Sequence, residues 1–302
     1  RQDAYTILDP MCGIIMDMNS DEKSSKPLLI IVMFGLCIAV AAVCLWLIFD
    51  RSDVDRRQVA SDEDVIAQPP VGETPQPDNE SPADAKEEAA FAELRNKMVD
   101  RQLAGRDITD PRVLDAMRRI PRHEFVPDDL RDLAYIDRPL QIGHKQTISQ
   151  PYIVALMTQL AGTKPASCAL DIGTGSGYQA AVLGELVEKV HSIEIVRPLA
   201  DSARKRLAKL GCKNIEVIHG DGYRGLPQKA PFDLIIVAAA PDHVPEPLVE
   251  QLAPGGCLVI PVGSFYQNLL VIKKLPDGTV HRENVAPVAF VPMTGEAREK
   301  RD

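Results

Sequence analysis

The chain has 302 residues and a formal net charge of −9, with six cysteines (Cys12, Cys37, Cys44, Cys168, Cys212, Cys257) and no Cys-x-x-Cys pair. Residues 50–90 hold 12 acids against 4 bases, so the rest of the chain is near neutral and offers no basic footprint for nucleic acid. Neither a disulfide framework nor a zinc site is implied, and no metal is expected.

Residues 28–49, LLIIVMFGLCIAVAAVCLWLIF, run for 22 positions without a charge. That is longer than a signal-peptide core and enough for a membrane span of about 20 residues, so a lipid bilayer is an expected partner. The only tryptophan, Trp46, falls near the expected interface. Lys23 and Lys26 flank one side and Arg51, Arg56 and Arg57 the other, a bias of one charge toward a cytoplasmic C-terminal domain. A tail (1–27) precedes the span. Residues 50–90, acidic and dotted with prolines, read as a disordered tether. Residues 91–302 then form one globular domain of ordinary size.

The segment AKEEAAFAELRNKMVDRQLAG (85–105) predicts a helix ending at Gly105, and Asp110 caps a second helix opened by Pro111. In QTISQPYIVALMTQLAG (146–162), Ser149 stands just ahead of Pro151 at the start of an amphipathic helix. A hydroxyl and free backbone N–H groups there make either an anion site or an ordinary N-cap.

The next run, ALDIGTGSGY (169–178), is apolar up to Asp171 and then breaks into Gly173, Gly175 and Gly177. A buried strand that ends this way makes a nucleotide-binding turn. Tyr178 stands where a dinucleotide fingerprint wants Gly or Ala, which favours S-adenosylmethionine over NAD. Glu194 closes VHSIEIV (190–196), where an acid can accept both ribose hydroxyls. PLADSARKRLAKLG (198–211) is a helix stopped by Gly211, and IEVIHGDGY (215–223) is a strand ending in Asp221-Gly222, a turn suited to the adenine edge. His219 beside it reads as a strand-end residue rather than a base.

APFDLIIVAAAP (230–241) is too apolar for an exposed strand. PEPLVEQLAPGG (245–256) reads as a helix with a Pro-Gly-Gly stop, followed by a fifth strand, CLVIPVG (257–263). NLLVIKKL (268–275) and TVHRENV (279–285) flank Pro276-Asp277-Gly278 as a hairpin. The expected fold is α/β: a doubly wound, mostly parallel sheet ending in an antiparallel hairpin, similar to the Rossmann-like class I methyltransferases. Ligands in such sheets bind beyond the carboxyl ends of the strands.

The segments TISQPYIVA, DIGTGSGY, the GDG at 220–222 and APFDLIIVAAAP resemble protein-L-isoaspartate O-methyltransferases, as do MVDRQL (98–103), FVP (125–127) and FVPM (290–293). The likeness spans roughly residues 91–295 in colinear order. It implies methyl transfer from S-adenosylmethionine to the carboxylate of isoaspartyl residues in damaged proteins and peptides, by a monomeric catalytic domain. The ester then collapses to a succinimide, whose hydrolysis restores some aspartate. By the same likeness Ser149 is the active-site serine, and Gln146, Thr147, Ile148 and Val154 line the methyl donor and acceptor. Ser176 in the glycine turn, Glu194, Asp221, Gly222 and, more loosely, Thr294 match the cofactor contacts; Asp171, Gly173, Gly175 and Gly177 are expected to bind the cofactor from their place in the turn itself. Tyr152 stands where many members carry His, and no role is assigned to it.

Two rivals are open at this point. A methyltransferase of RNA or a small molecule would keep the cofactor motifs without needing TISQP. A non-catalytic S-adenosylmethionine-binding module would be marked by loss of Ser149, Glu194 or Asp221, and all three are intact.

Overall fold

The structure, a computed structural model, describes residues 82–299. The expected tail, membrane span and most of the tether lie outside the described residues. Among the described residues no helix is long and apolar enough to cross a membrane.

Helix α1 (Pro82–Met98) opens on a proline, which suits a first turn whose N–H groups have no helical partner anyway. It takes in residues 82–90, which their sequence assigns to the tether. The cause is Phe91 and Arg95, which face the core and anchor the helix. The helix also stops short of Gly105. From Val99 to Ala104 the backbone widens into a π-helical turn that buries Val99 and Leu103, and Gly105 caps it. Asp110 then accepts the Arg112 N–H and opens α2 (Pro111–Arg119), as its sequence predicts.

A two-residue hairpin, β1 (Leu140–Gln141) with β2 (Thr147–Ile148), leads into α3 (Pro151–Ala161). The main sheet follows: β3 (Cys168–Ile172), α4 (Tyr178–Gly184), β4 (Lys189–Glu194), α5 (Arg197–Lys209), β5 (Ile215–His219), β6 (Phe232–Val237), α6 (Glu246–Glu250), β7 (Leu252–Val262), β8 (Gln267–Lys274), β9 (Val280–Val288) and α7 (Glu296–Glu299). Its spatial order is β5-β4-β3-β6-β7-β8-β9, with β5 through β7 parallel and β8 and β9 antiparallel. The chain reverses direction of travel across the sheet between β3 and β6, which opens a crevice at the carboxyl end of β3.

Both faces of the sheet are covered. Along β6, Leu234 and Ile236 enter one apolar cluster while Ile235 and Val237 enter the other. Alternate strand residues point to opposite faces, so a strand buried on both sides must be apolar throughout. Helices α2, α3 and α4 supply the first cluster and α6 the second.

The helix expected over 245–256 is cut to the five residues of α6, because Leu252 already pairs with Phe232. The next pair is Leu234 with Cys257, so Pro254-Gly255-Gly256 forms a bulge within β7 instead of ending a helix.

Ile236 is fully buried in the central strand. Ile236→Ala should cost about 2–5 kcal/mol of unfolding free energy, read as a lowered midpoint in urea with an unchanged slope.

Candidate active site

The glycine turn after β3 has left-handed backbone at Gly173 (φ 90°), Gly175 (φ 53°) and Gly177 (φ 93°). Residues with a β-carbon adopt such angles at a cost, which accounts for the spacing read in the sequence. The turn is tied to the neighbouring strand at two levels. Gly173 and Thr174 donate their N–H groups to the Ile193 carbonyl at 2.9 and 3.2 Å. Gly175 N–H donates to Glu194 Oε2 at 2.7 Å, while Val196 N–H donates to Glu194 Oε1 at 2.8 Å. Each carboxylate oxygen keeps further lone-pair capacity for a ligand hydroxyl.

A cleft opens over this turn. Gly173, Gly175 and Ser176 form its floor, and Glu194 and Ile195 one wall. Asp221 and Gly222 stand at the end of β5. Asp221 Oδ1 accepts Tyr223 N–H at 2.9 Å, setting a 3-10 turn, and a β-carbon at Gly222 would collide with Ile172. The opposite wall is Gln146, Thr147, Ile148, Ser149 and Val154, from β2 and the start of α3. Thr294 lies in the last wall with Val291, Pro292 and Met293. That segment is held against the sheet edge by Met293 N–H on the Ala240 carbonyl and by Glu296 N–H on Asp221 Oδ2, both 2.8 Å.

Two expected cofactor residues stand behind the wall. Gly177 packs against Leu207 and Ala203 as the N-cap of α4. Asp171 is fully buried; its Oδ2 accepts the Ser192 hydroxyl at 2.7 Å, and Thr174 Oγ1 lies 2.6 Å from Ser192 Oγ. Asp171 therefore supports the turn through Ser192 and Thr174 without facing the cleft. Burial pushes its carboxyl up to about 7, with Glu194 adding in the same direction and the Ser192 bond opposing.

Ser149 does not cap α3. The N-cap is Gln150, which makes no side-chain cap bond. Asp137, from upstream, fills that place: its Oδ1 accepts Tyr152 N–H at 3.1 Å and its Oδ2 accepts Gln150 Nε2 at 2.8 Å. The hydroxyl of Ser149 is thereby left to the cleft and to an adjoining cavity formed by Thr147, Gln150, Ile153, Ala238 and Phe290. Tyr152 clamps the loop after the π-helical turn, donating its hydroxyl to Asp107 at 3.0 Å under the Arg106 guanidinium, 3.4 Å from the ring centroid.

Some residues beside the site carry no motif. Ile142 packs against Gly175 from a β1–β2 turn that is left-handed at Gly143, His144 and Lys145. Ile195 is exposed although it continues the apolar run of β4, and an apolar residue just past a strand-end acid is the one signal that marks it. His219 ends β5 with Nε2 on the Ile195 carbonyl at 3.2 Å, a structural place. Among the described residues no three His, Cys, Asp or Glu gather as a metal site.

A family profile described as protein-L-isoaspartate(D-aspartate) O-methyltransferase matches residues 93–298. The chain belongs to this family. It is similar to a protein-L-isoaspartate O-methyltransferase of Synechococcus sp., 54% identical over 220 residues that cover 70% of this chain and 89% of the relative. A relative from Opitutus terrae with the same name is 54% identical over 216 residues, 71% of this chain and 92% of that one. Among solved structures, a protein-L-isoaspartate O-methyltransferase superposes with a TM-score of 0.60 at 28% identity, over 68% of this chain and 67% of the other. A Plasmodium falciparum structure described as a putative member in complex with S-adenosyl-L-homocysteine gives 0.59 at 27% identity, over 66% of this chain and 98% of its own. The family shares the Rossmann-like α/β fold of the class I methyltransferases, and its members are S-adenosylmethionine-dependent enzymes.

The raised pKa of Asp171 has a signed consequence for stability. Its folded value, about 7, lies above the ordinary 3.8, so the folded state binds the extra proton between those limits and loses stability as pH rises through them. Asp171→Asn removes that dependence. The variant should gain on the wild type by a few kcal/mol from about pH 4 to pH 8, checked by urea unfolding across the range.

Proposed function

We propose that the domain transfers a methyl group from S-adenosylmethionine to the carboxylate of L-isoaspartyl residues in damaged proteins and peptides, the first step of their repair. One observation carries the reading: Ser149 stands in the wall common to the glycine-turn cleft and the adjoining cavity, in a chain half identical to relatives of that name. A methyl donor in the first space and a carboxylate in the second would meet at this serine.

The cleft suits the donor. Glu194 has acceptor capacity for the two ribose hydroxyls, and the Asp221-Gly222 turn brings backbone close enough for an adenine edge. Ile195 offers an apolar surface for a ring, and Gly173, Gly175 and Ser176 give a floor without large side chains. Bound S-adenosylmethionine supplies a methyl carried on a positively charged sulfur. The Ser149 hydroxyl donates to the acceptor carboxylate and holds it, with Gln146, Thr147, Ile148 and Val154 shaping the approach. A carboxylate is ionised at neutral pH, so a strong general base is not required. Orientation is the main contribution, and it can lower the barrier by ~7–11 kcal/mol. Opposite charges cancel during transfer, so the wall formed by residues 291–294 favours the reaction by excluding water.

We also propose the organisation of the whole chain: a membrane anchor at 28–49, an acidic tether, and a monomeric catalytic domain on the cytoplasmic side. The charge-free run and the intracellular origin of S-adenosylmethionine support it.

Labelled S-adenosylmethionine should give base-labile methyl ester on an isoaspartyl peptide and none on the matching aspartyl peptide. Transfer to neither, with cofactor bound, overturns the reading. Ser149→Ala should lower kcat at least tenfold while S-adenosylhomocysteine affinity stays within about twofold; equal loss of both would make Ser149 structural. For the anchor, the full chain should stay with membranes after carbonate extraction, and a chain lacking 28–49 should be released.

A further inference from the structure

Arg122 is the largest fully buried side chain among the described residues. It lies in the turn Arg122–Phe125, just after α2. Its Nε donates to the Ala134 carbonyl at 2.8 Å, and its Nη2 donates to the Ser149 carbonyl at 2.7 Å. The guanidinium carbon sits 4.8 Å from the Tyr178 ring centroid, and Nη1 is buried with no hydrogen-bond partner. Tyr178 itself lines the glycine-turn cleft, so one cation touches both the donor side and the acceptor side of the site.

A cation so enclosed costs several kcal/mol of desolvation, and an apolar residue of similar volume would avoid that. Burial pushes the guanidinium down to about 10, against the attraction of Tyr178, Tyr135 and Asp137. It therefore stays charged at neutral pH.

The Ser149 carbonyl that it holds shares a peptide unit with the Gln150 N–H. In a trans peptide these two groups point in opposite directions. A cation on the carbonyl end fixes the plane of the unit and strengthens the N–H at the other end as a donor. Both residues of the unit line the second cavity. Two neighbouring donors are already engaged, since Asp137 takes Tyr152 N–H and Gln150 Nε2.

We propose that Arg122 is a positioning residue. Acting through the Ser149 carbonyl, it orients and polarises the Gln150 N–H toward the second cavity, where that N–H and the Ser149 hydroxyl together receive the isoaspartyl carboxylate. The inference rests on the function proposed above.

The test uses the full chain, labelled S-adenosylmethionine and an isoaspartyl peptide, with S-adenosylhomocysteine binding followed by calorimetry. Gln150→Pro deletes the N–H at a position whose φ of −50° and ψ of 135° proline accepts, and Gln150→Ala controls for the side chain. Gln150→Pro should fall at least tenfold below Gln150→Ala in kcat/KM, with cofactor affinity within twofold. Arg122→Met should lose at least tenfold in kcat. Arg122→Lys should be partly active and should decline as pH rises through about 7–9, because burial drives a lysine ammonium to deprotonate in that range. The wild type should stay flat there.

Equal activity of the two Gln150 variants overturns the proposal, as does an Arg122→Met variant with kcat within twofold of wild type. Loss of cofactor binding in proportion to activity makes Arg122 structural and also overturns it. If an Arg122 variant does not fold, the Gln150 pair decides. Absence of transfer by the wild-type chain overturns the function itself and, with it, this assignment.

Discussion

Two backbone N–H groups, from Gly175 and Val196, converge on the nearly buried carboxylate of Glu194, and the cleft takes its shape from that convergence. A charge removed from water needs such partners, and hydrogen bonds to a charged acceptor contribute about 1.5–3 kcal/mol each. Here they hold a turn with three left-handed glycines, which on its own would sample many conformations. The same bonds fix the chain just past β4, so Ile195 is presented to the cleft from a set position. Asp171 braces the turn from below through Ser192 and Thr174. One acid thus faces the cleft while the other, sealed beneath it, carries the framework.

The centre of the sheet was legible because β3, β4, β6 and most of β7 are buried on both faces and read as apolar runs bounded by glycine, proline and acids. The hairpin was legible from two runs with no helical pattern between them. Other features depended on contacts that sequence order hides. Ser149 looked like a helix cap because it precedes Pro151, but the capping carboxylate comes from Asp137, fourteen positions before Pro151 and brought close only by the β1–β2 hairpin. Pro254-Gly255-Gly256 looked like a helix stop, because glycine and proline mark a break without saying whether a helix or a strand is being broken. Asp171 was grouped with the ligand contacts since it abuts the glycine turn; strand alternation turned its side chain into the core.

Tyr152 shows how a departure from a family pattern acquires meaning only in three dimensions. Its ring lies under Arg106 and its hydroxyl reaches Asp107, while Gln159, two turns along the same helix face, accepts Thr109 and Asp110 N–H groups at 2.7 and 2.9 Å. Helix α3 therefore grips the loop 106–110 at both ends. Asp137 pairs with Arg106 at 3.2 Å and joins this grip to the start of the helix that follows Ser149. The start of the helix beside Ser149 is thus held by contacts from separate stretches of chain.

The wall made by residues 291–294, pinned by the Glu296 N–H on Asp221 and by the Arg224–Glu296 ion pair, comes after every strand of the sheet in chain order. On the ribosome this wall is therefore made last. A chain that extends only as far as β7 carries the glycine turn, Glu194 and Asp221 but lacks that side of the cleft.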